Sequence, residues 1–358
     1  MLLTLSIENY RSFYEEQTFN LIAANNLHEE GRDERTASIP GTKQRALRMA
    51  GVYGANGTGK SNLVKAMSHI QKFVLEDTKP GSTLPYDPFL FKSESKEEPS
   101  VFDVVFVSEE NTFRYGFSHD SKRIHEEWLD VKKGGDESSI FQRATKQDGT
   151  VEVDLGKEAP KRGAAKKKMQ ALAEVGARPN QLFLTQIVNL GDEDLQGCKL
   201  AAVVRWFGHY LTIVRPGAKF LGLSKQLETD PEFSKFVAGF LKEADTGISE
   251  IEAKTDILTA DIKKAMSEIL DSMPSSEGVF TDGNVEIIRD QDGFKRRVVR
   301  TYHTTPENNE IPLDFAEESD GTRRMAHLLP ALFYSRSKPS VFFIAELERS
   351  LHPILAKR

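Results

Sequence analysis

Eight consecutive residues constrain this chain more than any other feature. Gly54-Ala55-Asn56-Gly57-Thr58-Gly59-Lys60-Ser61 fits G-x-x-x-x-G-K-[ST] at every position. Before it, the apolar run Ala50-Gly51-Val52-Tyr53 reads as a strand, and after it Leu63, Val64, Met67, Ile70, Phe73 and Val74 recur at helical spacing. Strand, glycine-rich turn and helix, in that order, is the context the pattern requires. Glycines let successive backbone N–H groups converge on phosphate oxygens with no Cβ in the way. The helix then offers the positive end of its dipole to the same anion. The reading is a nucleoside triphosphate site made of Gly54, Asn56, Gly57, Thr58, Gly59, Lys60, Ser61 and Asn62. Lys60 reaches the β- and γ-phosphates, and the Ser61 hydroxyl is placed for Mg²⁺.

The rest of the chain alternates extended and helical signals. Leu3, Leu5 and Ile7 alternate as in a half-buried strand, and Thr18-Phe19-Asn20-Leu21-Ile22 is placed to pair back with it, followed by a polar loop from Ala24 to about Lys43. The runs 101–107 and 112–117 flank Ser108-Glu109-Glu110-Asn111, a hairpin pattern, and Glu127-Trp128-Leu129-Asp130-Val131 reads as a further strand. Helices are expected over about 160–175, 200–211, 232–243 and 260–270, and a second hairpin joins 285–289 to 295–300 through Asp290-Gln291-Asp292-Gly293.

With 39% hydrophobic and 28% charged residues, 358 residues hold enough apolar matter for a core, which excludes a disordered chain. A formal net charge of −6 argues against a protein that coats nucleic acid over its whole surface. One cysteine, Cys198, allows neither an internal disulfide nor a Cys-rich zinc site, and reads as a small, partly buried residue. The eight histidines show no H-x-x-x-H or H-E-x-x-H pairing. The opening Met1-Leu2-Leu3-Thr4-Leu5-Ser6-Ile7 is too short for a signal peptide, and Val341-Phe342-Phe343-Ile344-Ala345 falls far below a membrane span, so the expectation is a cytoplasmic protein with no membrane partner.

A phosphate loop alone does not separate the kinds of enzyme that use one; the C-terminal region narrows them. Glu318-Ser319-Asp320-Gly321-Thr322-Arg323-Arg324 precedes Met325, Leu328, Leu329 and Leu332 at helical spacing. A serine and a glycine at the mouth of a helix make a second anion-favouring terminus. About twenty residues on, a buried-strand run ends in Glu346 and is followed by Leu347-Glu348-Arg349-Ser350-Leu351-His352-Pro353.

Taken together these residues resemble the ATP-binding proteins of the ABC-ATPase-head type, akin to the ATPase parts of RecF, the SMC proteins and the OLD-family nucleases. The nearest likeness is to the abortive-infection "ATP/GTP phosphatase" ATPases of phage-defence operons. Ile7-Glu8-Asn9-Tyr10-Arg11-Ser12-Phe13, Tyr53-Gly54-Ala55-Asn56-Gly57, Glu127-Trp128-Leu129, Ser319-Asp320-Gly321-Thr322-Arg323 and Arg349-Ser350-Leu351-His352-Pro353 carry the likeness, which covers nearly the whole chain and is weakest in the middle. It implies an α/β P-loop NTPase fold: a mixed central sheet, antiparallel β hairpins and an inserted helical lid. The implied division is an N-terminal ATPase lobe over 1–150, a mainly helical lid over 151–280 and a C-terminal lobe over 281–358.

The resemblance also implies ATP and Mg²⁺ as ligands and a head-to-head homodimer. Ser319 and Gly321 would then touch the γ-phosphate held by the partner's Lys60 loop, Glu346 would be the general base, and His352 would lie in the segment crossing the interface. Arg323 or Arg349 could steady developing charge, or be surface arginines. A separate effector such as a nuclease, in anti-phage defence, is the expected partner.

Two departures matter. Where the family's strand ends in adjacent Asp and Glu, this chain has Ala345-Glu346. Either Glu346 or Glu348 takes over the metal, or hydrolysis is weak and the protein is a slow ATP-gated switch or assembly protein. No glutamine stands near Asp87-Pro88-Phe89-Leu90-Phe91, where the family pivots toward its lid. A phosphotransferase sharing only the phosphate loop is the third reading. The basic run Lys161-Arg162-Gly163-Ala164-Ala165-Lys166-Lys167-Lys168 and the shorter Lys295-Arg296-Arg297 read as solvated faces, with nucleic acid or an acidic protein as the sharper alternative. Because such heads continue past the Leu351-His352-Pro353 segment, the expectation is a chain short of its intact form by several dozen residues.

Overall fold

The computed structural model describes residues 1–24, 32–133, 136–175, 177–189, 195, 198–220, 222–257, 278–282, 285–290, 293–336 and 339–347. The chain divides into two compact units, one of residues 1–213 and 339–343, the other of residues 214–338 and the chain from Ile344.

The first unit is built on long alternating strands. β1 (Leu2–Glu8), β2 (Gln17–Asn20), β5 (Ser100–Ser108), β6 (Asn111–His119), β7 (Ile124–Lys133), β8 (Asp136–Thr145) and β9 (Val151–Leu155) form a seven-stranded sheet in the order β2-β1-β5-β6-β7-β8-β9. Every neighbouring pair is antiparallel. The strand-to-strand turns expected from the sequence are present, with β2 paired back on β1 and the β5–β6 turn narrowed to Glu109 and Glu110. Between β2 and β5, the region expected to be a polar loop also contains β3 (Thr36–Ser38), which pairs with β4 (Arg45–Leu47).

Period-2 alternation puts Phe102, Val104 and Phe106 on β5, and Phe113, Tyr115 and Phe117 on β6, into one buried cluster. Helix α1 (Lys60–Leu75) closes that cluster with Ala66, Met67, Ile70, Phe73 and Val74, and Phe73 stacks on Phe117 at 5.6 Å between ring centroids. Burying such an aromatic and aliphatic face is worth about 1.5–3 kcal/mol per large side chain, so α1 is held by its back while its N-terminus stays at the surface.

Two residues lock the sheet locally. Gly116 faces Trp128 across the β6–β7 ladder, and a Cβ at Gly116 would lie 2.3 Å from the indole, so only glycine lets the ring cover this strand. Glu127 is buried and accepts from the backbone N–H groups of Phe183 (2.6 Å) and Leu184 (2.9 Å), which open α3 (Phe183–Val188), and from the Tyr115 hydroxyl (3.1 Å). Burial pushes its carboxyl up, against the field of the buried Arg143 and these three donors.

Helices α2 (Gly163–Val175) and α4 (Lys199–Arg205) complete this unit; the latter runs into a π turn, Trp206–Tyr210, before β10 (Leu211–Val214). β10 pairs with β16 (Val341–Ile344), and Leu211 and Phe343 join the same core cluster.

In the second unit, β11 (Ile248–Ile257), β12 (Gly278–Asp282), β13 (Val285–Asp290), β14 (Gly293–Thr304) and β15 (Glu310–Asp314) make a sheet whose path is β11-β14-β13-β12, with β15 also on β14. The hairpin expected over 285–300 is β13–β14. Helices α5 (Leu223–Thr229), α6 (Pro231–Glu243) and α7 (Asp320–Ser335) supply Leu227, Phe233, Val237, Leu241, Met325 and Leu329 to its core. Asp230 caps α6 through the N–H groups of Glu232 and Phe233, with Pro231 as the first helical residue. Strand β11 has no counterpart in the sequence reading, and the helix expected over 260–270 lies outside the described residues. Within the short basic run, Arg297 is nearly buried between Glu228 (2.7 Å) and Glu286 (2.9 Å), so it serves the core and not an outer surface.

Candidate functional site

The phosphate loop belongs to the first unit. Residues 50–53, expected as a strand, are instead exposed irregular backbone, with the Tyr53 ring folded over Gly51. Their single strong apolar side chain, Val52, is not enough to hold them against a core. The loop itself bends through left-handed conformations at Gly57 (φ 81°) and Gly59 (φ 94°), which only glycine enters freely. Thr58 Oγ1 closes the turn on the Ala55 carbonyl at 2.9 Å.

Gly59 then starts α1 with no side-chain cap and no acidic residue in the first turn. Asn62 N–H closes on the Gly59 carbonyl at 2.8 Å, so it is the N–H groups of Lys60 and Ser61 that a 16-residue helix leaves to an outside acceptor, and the helix dipole favours an anion there. Lys60 Nζ folds back on its own loop, donating to the carbonyls of Gly54 (2.6 Å) and Ala55 (2.7 Å). Ser61, next along the helix, is exposed. Its hydroxyl suits Mg²⁺, which keeps several waters and takes few protein ligands beside nucleotide oxygens. Among the described residues no group of three or more His, Cys, Asp or Glu side chains is gathered as for an all-protein metal site.

A second turn cradles this loop. Asn9 and Arg11 are both left-handed (φ 46° and 53°), and Tyr10 bridges to Phe13, so the chain reverses tightly at the end of β1. Asn9 holds the turn through Nδ2 to the carbonyls of Ser95 and Glu98, at 2.7 and 2.8 Å. The reversal aims Ser12 at the loop: its Oγ accepts from Asn62 Nδ2 at 3.0 Å and would lie 2.5 Å from any Cβ placed on Gly59. The motif that carries Ser12 is visible in the sequence; its contact with Gly59 is not, because 46 residues of chain intervene.

Ser319, Gly321 and Glu346 belong to the second unit. Ser319 caps α7, its Oγ accepting from Thr322 N–H at 3.1 Å and lying 2.9 Å from Thr322 Oγ1, and Gly321 follows inside the first turn. Arg323 pairs with Asp320 of the same turn. Burial, with the field of Lys219, Arg324 and Arg323, holds His327 of this helix at about 4, so it is neutral at pH 7 and accepts the Phe220 N–H at 3.1 Å through Nδ1.

The segment that follows β16 turns sharply. Ala345 is buried and its N–H donates to the Val214 carbonyl at 3.0 Å, whereas Glu346 is exposed in a left-handed conformation, φ 51°. A carboxylate residue held at positive φ at a strand end carries about 1–3 kcal/mol of backbone strain, the kind of position that concentrates at functional sites. Glu348, Arg349 and His352 lie outside the described residues.

Sequence reasoning passed over Glu318, Thr301 and His303. Glu318 adjoins Ser319, but its burial against a strand fifteen residues upstream has no local signal. In the basic run at the start of α2, Ala165 and Met169 face inward while Lys161, Arg162 and Lys167 are exposed. Among the described residues no helix is long and apolar enough to cross a membrane.

A comparison with curated proteins finds no match to this chain. A family model described as "AAA domain, putative AbiEii toxin, Type IV TA system" matches residues 49–173 and 225–358, more than two thirds of the chain. The first block includes the phosphate loop and the second includes Ser319, Gly321 and Glu346. Together with a mixed α/β chain carrying a large antiparallel sheet, that match makes the chain a member of this AAA-type ATPase family, with a P-loop NTPase-like fold.

Proposed function

We propose that the protein binds ATP at Gly54–Ser61 and uses it to close a head-to-head homodimer, hydrolysis then opening the dimer. The observation that carries this reading is the uncapped start of α1 behind two left-handed glycines, a turn whose N–H groups ask for an anion. In the nucleotide complex Lys60 exchanges its two carbonyl partners for β- and γ-phosphate oxygens. Asn56, Gly57, Thr58 and Asn62 shape the loop around them. Ser319 and Gly321 of one copy meet the γ-phosphate held by the other, adding a hydroxyl and the amides of a second helix N-terminus.

Mg²⁺ would be held by Ser61 and phosphate oxygens, and would spread the charge on the phosphoryl group. Glu346 takes the proton of the attacking water; its exposed carboxylate at a sharp strand end stands outside the core and can face a ligand. The output is control of a separate effector, a nuclease being the leading class, in anti-phage defence within the cytoplasm. The AbiEii toxin and type IV TA system named in the family description support that setting. Nucleic acid is a candidate further partner through the basic start of α2.

The test is radiolabelled ATP turnover beside ATP-dependent sedimentation. Turnover and dimerisation that both vanish in Lys60→Ala and in Ser319→Arg, with ATP binding weakened only in Lys60→Ala, meet the expectation; dimers indifferent to ATP refute it. One observation favours a second reading, a nucleotide-binding assembly protein with negligible hydrolysis. Ala345 occupies the position of the family's metal-shell Asp and is buried with no side-chain oxygen to offer. ATP-dependent dimers without turnover would select this reading.

A further inference from the structure

The carboxylate of Glu318 lies immediately before Ser319, yet it points into the protein. It is buried, with its side chain 7% exposed, and the same oxygen, Oε1, receives two donors from β14: Thr301 Oγ1 at 2.5 Å and His303 Nε2 at 2.7 Å. A carboxylate only accepts, so His303 is protonated at Nε2. Thr301 and His303 are two residues apart, hence on one face of β14, and that face is fixed by pairing with β15 at Thr301↔Leu313 and His303↔Ile311. Between β15 and α7 the chain has only the short turn Phe315–Glu317, whose Phe315 is buried in the second core. The start of α7 is thus tied to the sheet at two places: the apolar anchor Phe315 and the polar anchor Glu318.

These anchors act on different things. Phe315 holds the segment down by burial, which is non-directional. Glu318 fixes its orientation, because charge-assisted hydrogen bonds to two donors leave little freedom to a carboxylate one residue from the helix cap. Ser319 has its own cap contact with Thr322, which sets the helix start but not where the helix start points. A change of α7 orientation by one rotamer of Glu318 would move the Ser319 hydroxyl and the Gly321 amide off a phosphate oxygen, and phosphate contacts at this range tolerate only a few tenths of an ångström.

We infer that Glu318 is a positioning residue which, gripped by Thr301 and His303, aims Ser319 and Gly321 at the γ-phosphate bound by a second copy of the chain. This rests on the dimer proposed above. The bond is a clamp between the sheet of the second unit and its phosphate-facing turn; it does not touch the nucleotide. The expected signature is therefore selective: nucleotide affinity of the Lys60 loop stays, and nucleotide-driven association falls.

The experiment measures two quantities on the full chain, affinity for a fluorescent ATP analogue at nanomolar protein and the ATP-dependent dimer dissociation constant by sedimentation. Glu318→Ala and His303→Phe are each expected to weaken dimerisation at least tenfold with analogue affinity within twofold of the parent. His303→Gln, whose side-chain amide can still donate to Glu318, is expected to restore most of the loss, which a purely space-filling role would not do. Should Glu318→Ala fail to fold, His303→Phe and His303→Gln decide alone. Parent-like dimerisation in His303→Phe, while Ser319→Arg abolishes it, overturns the positioning role and leaves the dimer intact. Parent-like dimerisation in Ser319→Arg overturns the dimer itself and this role with it.

Discussion

Gly59→Ala is the sharpest probe of how the phosphate loop is built, because two separate obstacles meet at that residue. Its φ of 94° places any L side chain in the left-handed region, at about 1–2 kcal/mol. The added Cβ would also stand 2.5 Å from Ser12 Oγ and 3.3 Å from Ser12 Cβ. To make room Ser12 must turn away and give up the hydrogen bond from Asn62, about 1 kcal/mol more. The sum, about 2–3 kcal/mol, corresponds to roughly 30- to 150-fold in an equilibrium constant. It appears in nucleotide affinity if the free loop relaxes, and in unfolding free energy if it does not, so both are measured, by titration of a fluorescent ATP analogue and by urea unfolding.

Gly57→Ala is the internal control. Gly57 also has positive φ, 81°, but a methyl group added there would meet nothing within 4 Å, so only the backbone part applies. On a Ser12→Gly background, where both the obstructing side chain and the Asn62 bond are already gone, Gly59→Ala should cost no more than Gly57→Ala costs the parent. Equal losses in the two single alanine variants, with the cost of Gly59→Ala unchanged on the Ser12→Gly background, would refute the contact between the first turn of the chain and the phosphate loop.

Three further outcomes are expected. Ala345→Asp should raise ATP turnover at least about tenfold if it restores an oxygen to the Mg²⁺ shell; unchanged turnover in radiolabelled assays counts against equating Ala345 with the family's Asp position. Glu127→Ala leaves Arg143 buried without its counter-charge and two helix N–H groups without an acceptor, and should lower the unfolding free energy by about 3–5 kcal/mol; a loss under about 1 kcal/mol in urea titration contradicts it. Burial holds His119 at about 4, and burial with the field of His119, Arg11 and Lys72 holds its partner His69 at about 2; their Nε2 atoms are 3.0 Å apart. Below about pH 6.5 the unfolded chain binds protons that the folded pair refuses. Stability should therefore fall as pH drops from about 6.5 toward 4, by at most about 1.4 kcal/mol per unit for each histidine. The parent should show a steeper slope than a His69→Leu/His119→Leu double variant, and identical slopes would disprove the assignment.

How far the site could be read ahead of the structure depends on the reach of each interaction. The loop Gly54–Ser61 and the cap Ser319 were legible because their geometry is made within a few residues: glycines at positive φ, a lysine on its own turn, a serine on the third amide of its helix. The hairpins β5–β6 and β13–β14 were legible for the same reason, two alternating runs about one short turn. The strand expected at residues 50–53 failed because a strand is defined by its neighbour, and one valine beside a glycine does not specify one. Strand β11 was missed because Ile248, Ile251 and Ala253 reach the core at irregular spacing, and its ladder with β14 joins residues some fifty positions apart.

The amino-acid order by itself determined the chemistry on offer: a phosphate-binding turn, a capped second helix and a strand ending in Ala345-Glu346. Those are local properties of backbone freedom and side-chain type. Only the tertiary structure decided that Ser12 backs the loop at Gly59, that Glu318 is clamped by Thr301 and His303, and that Ala345 turns inward while Glu346 turns out. Each of those depends on distant strands being paired in one register, and register is set by the burial of a whole sheet face, not by any single residue.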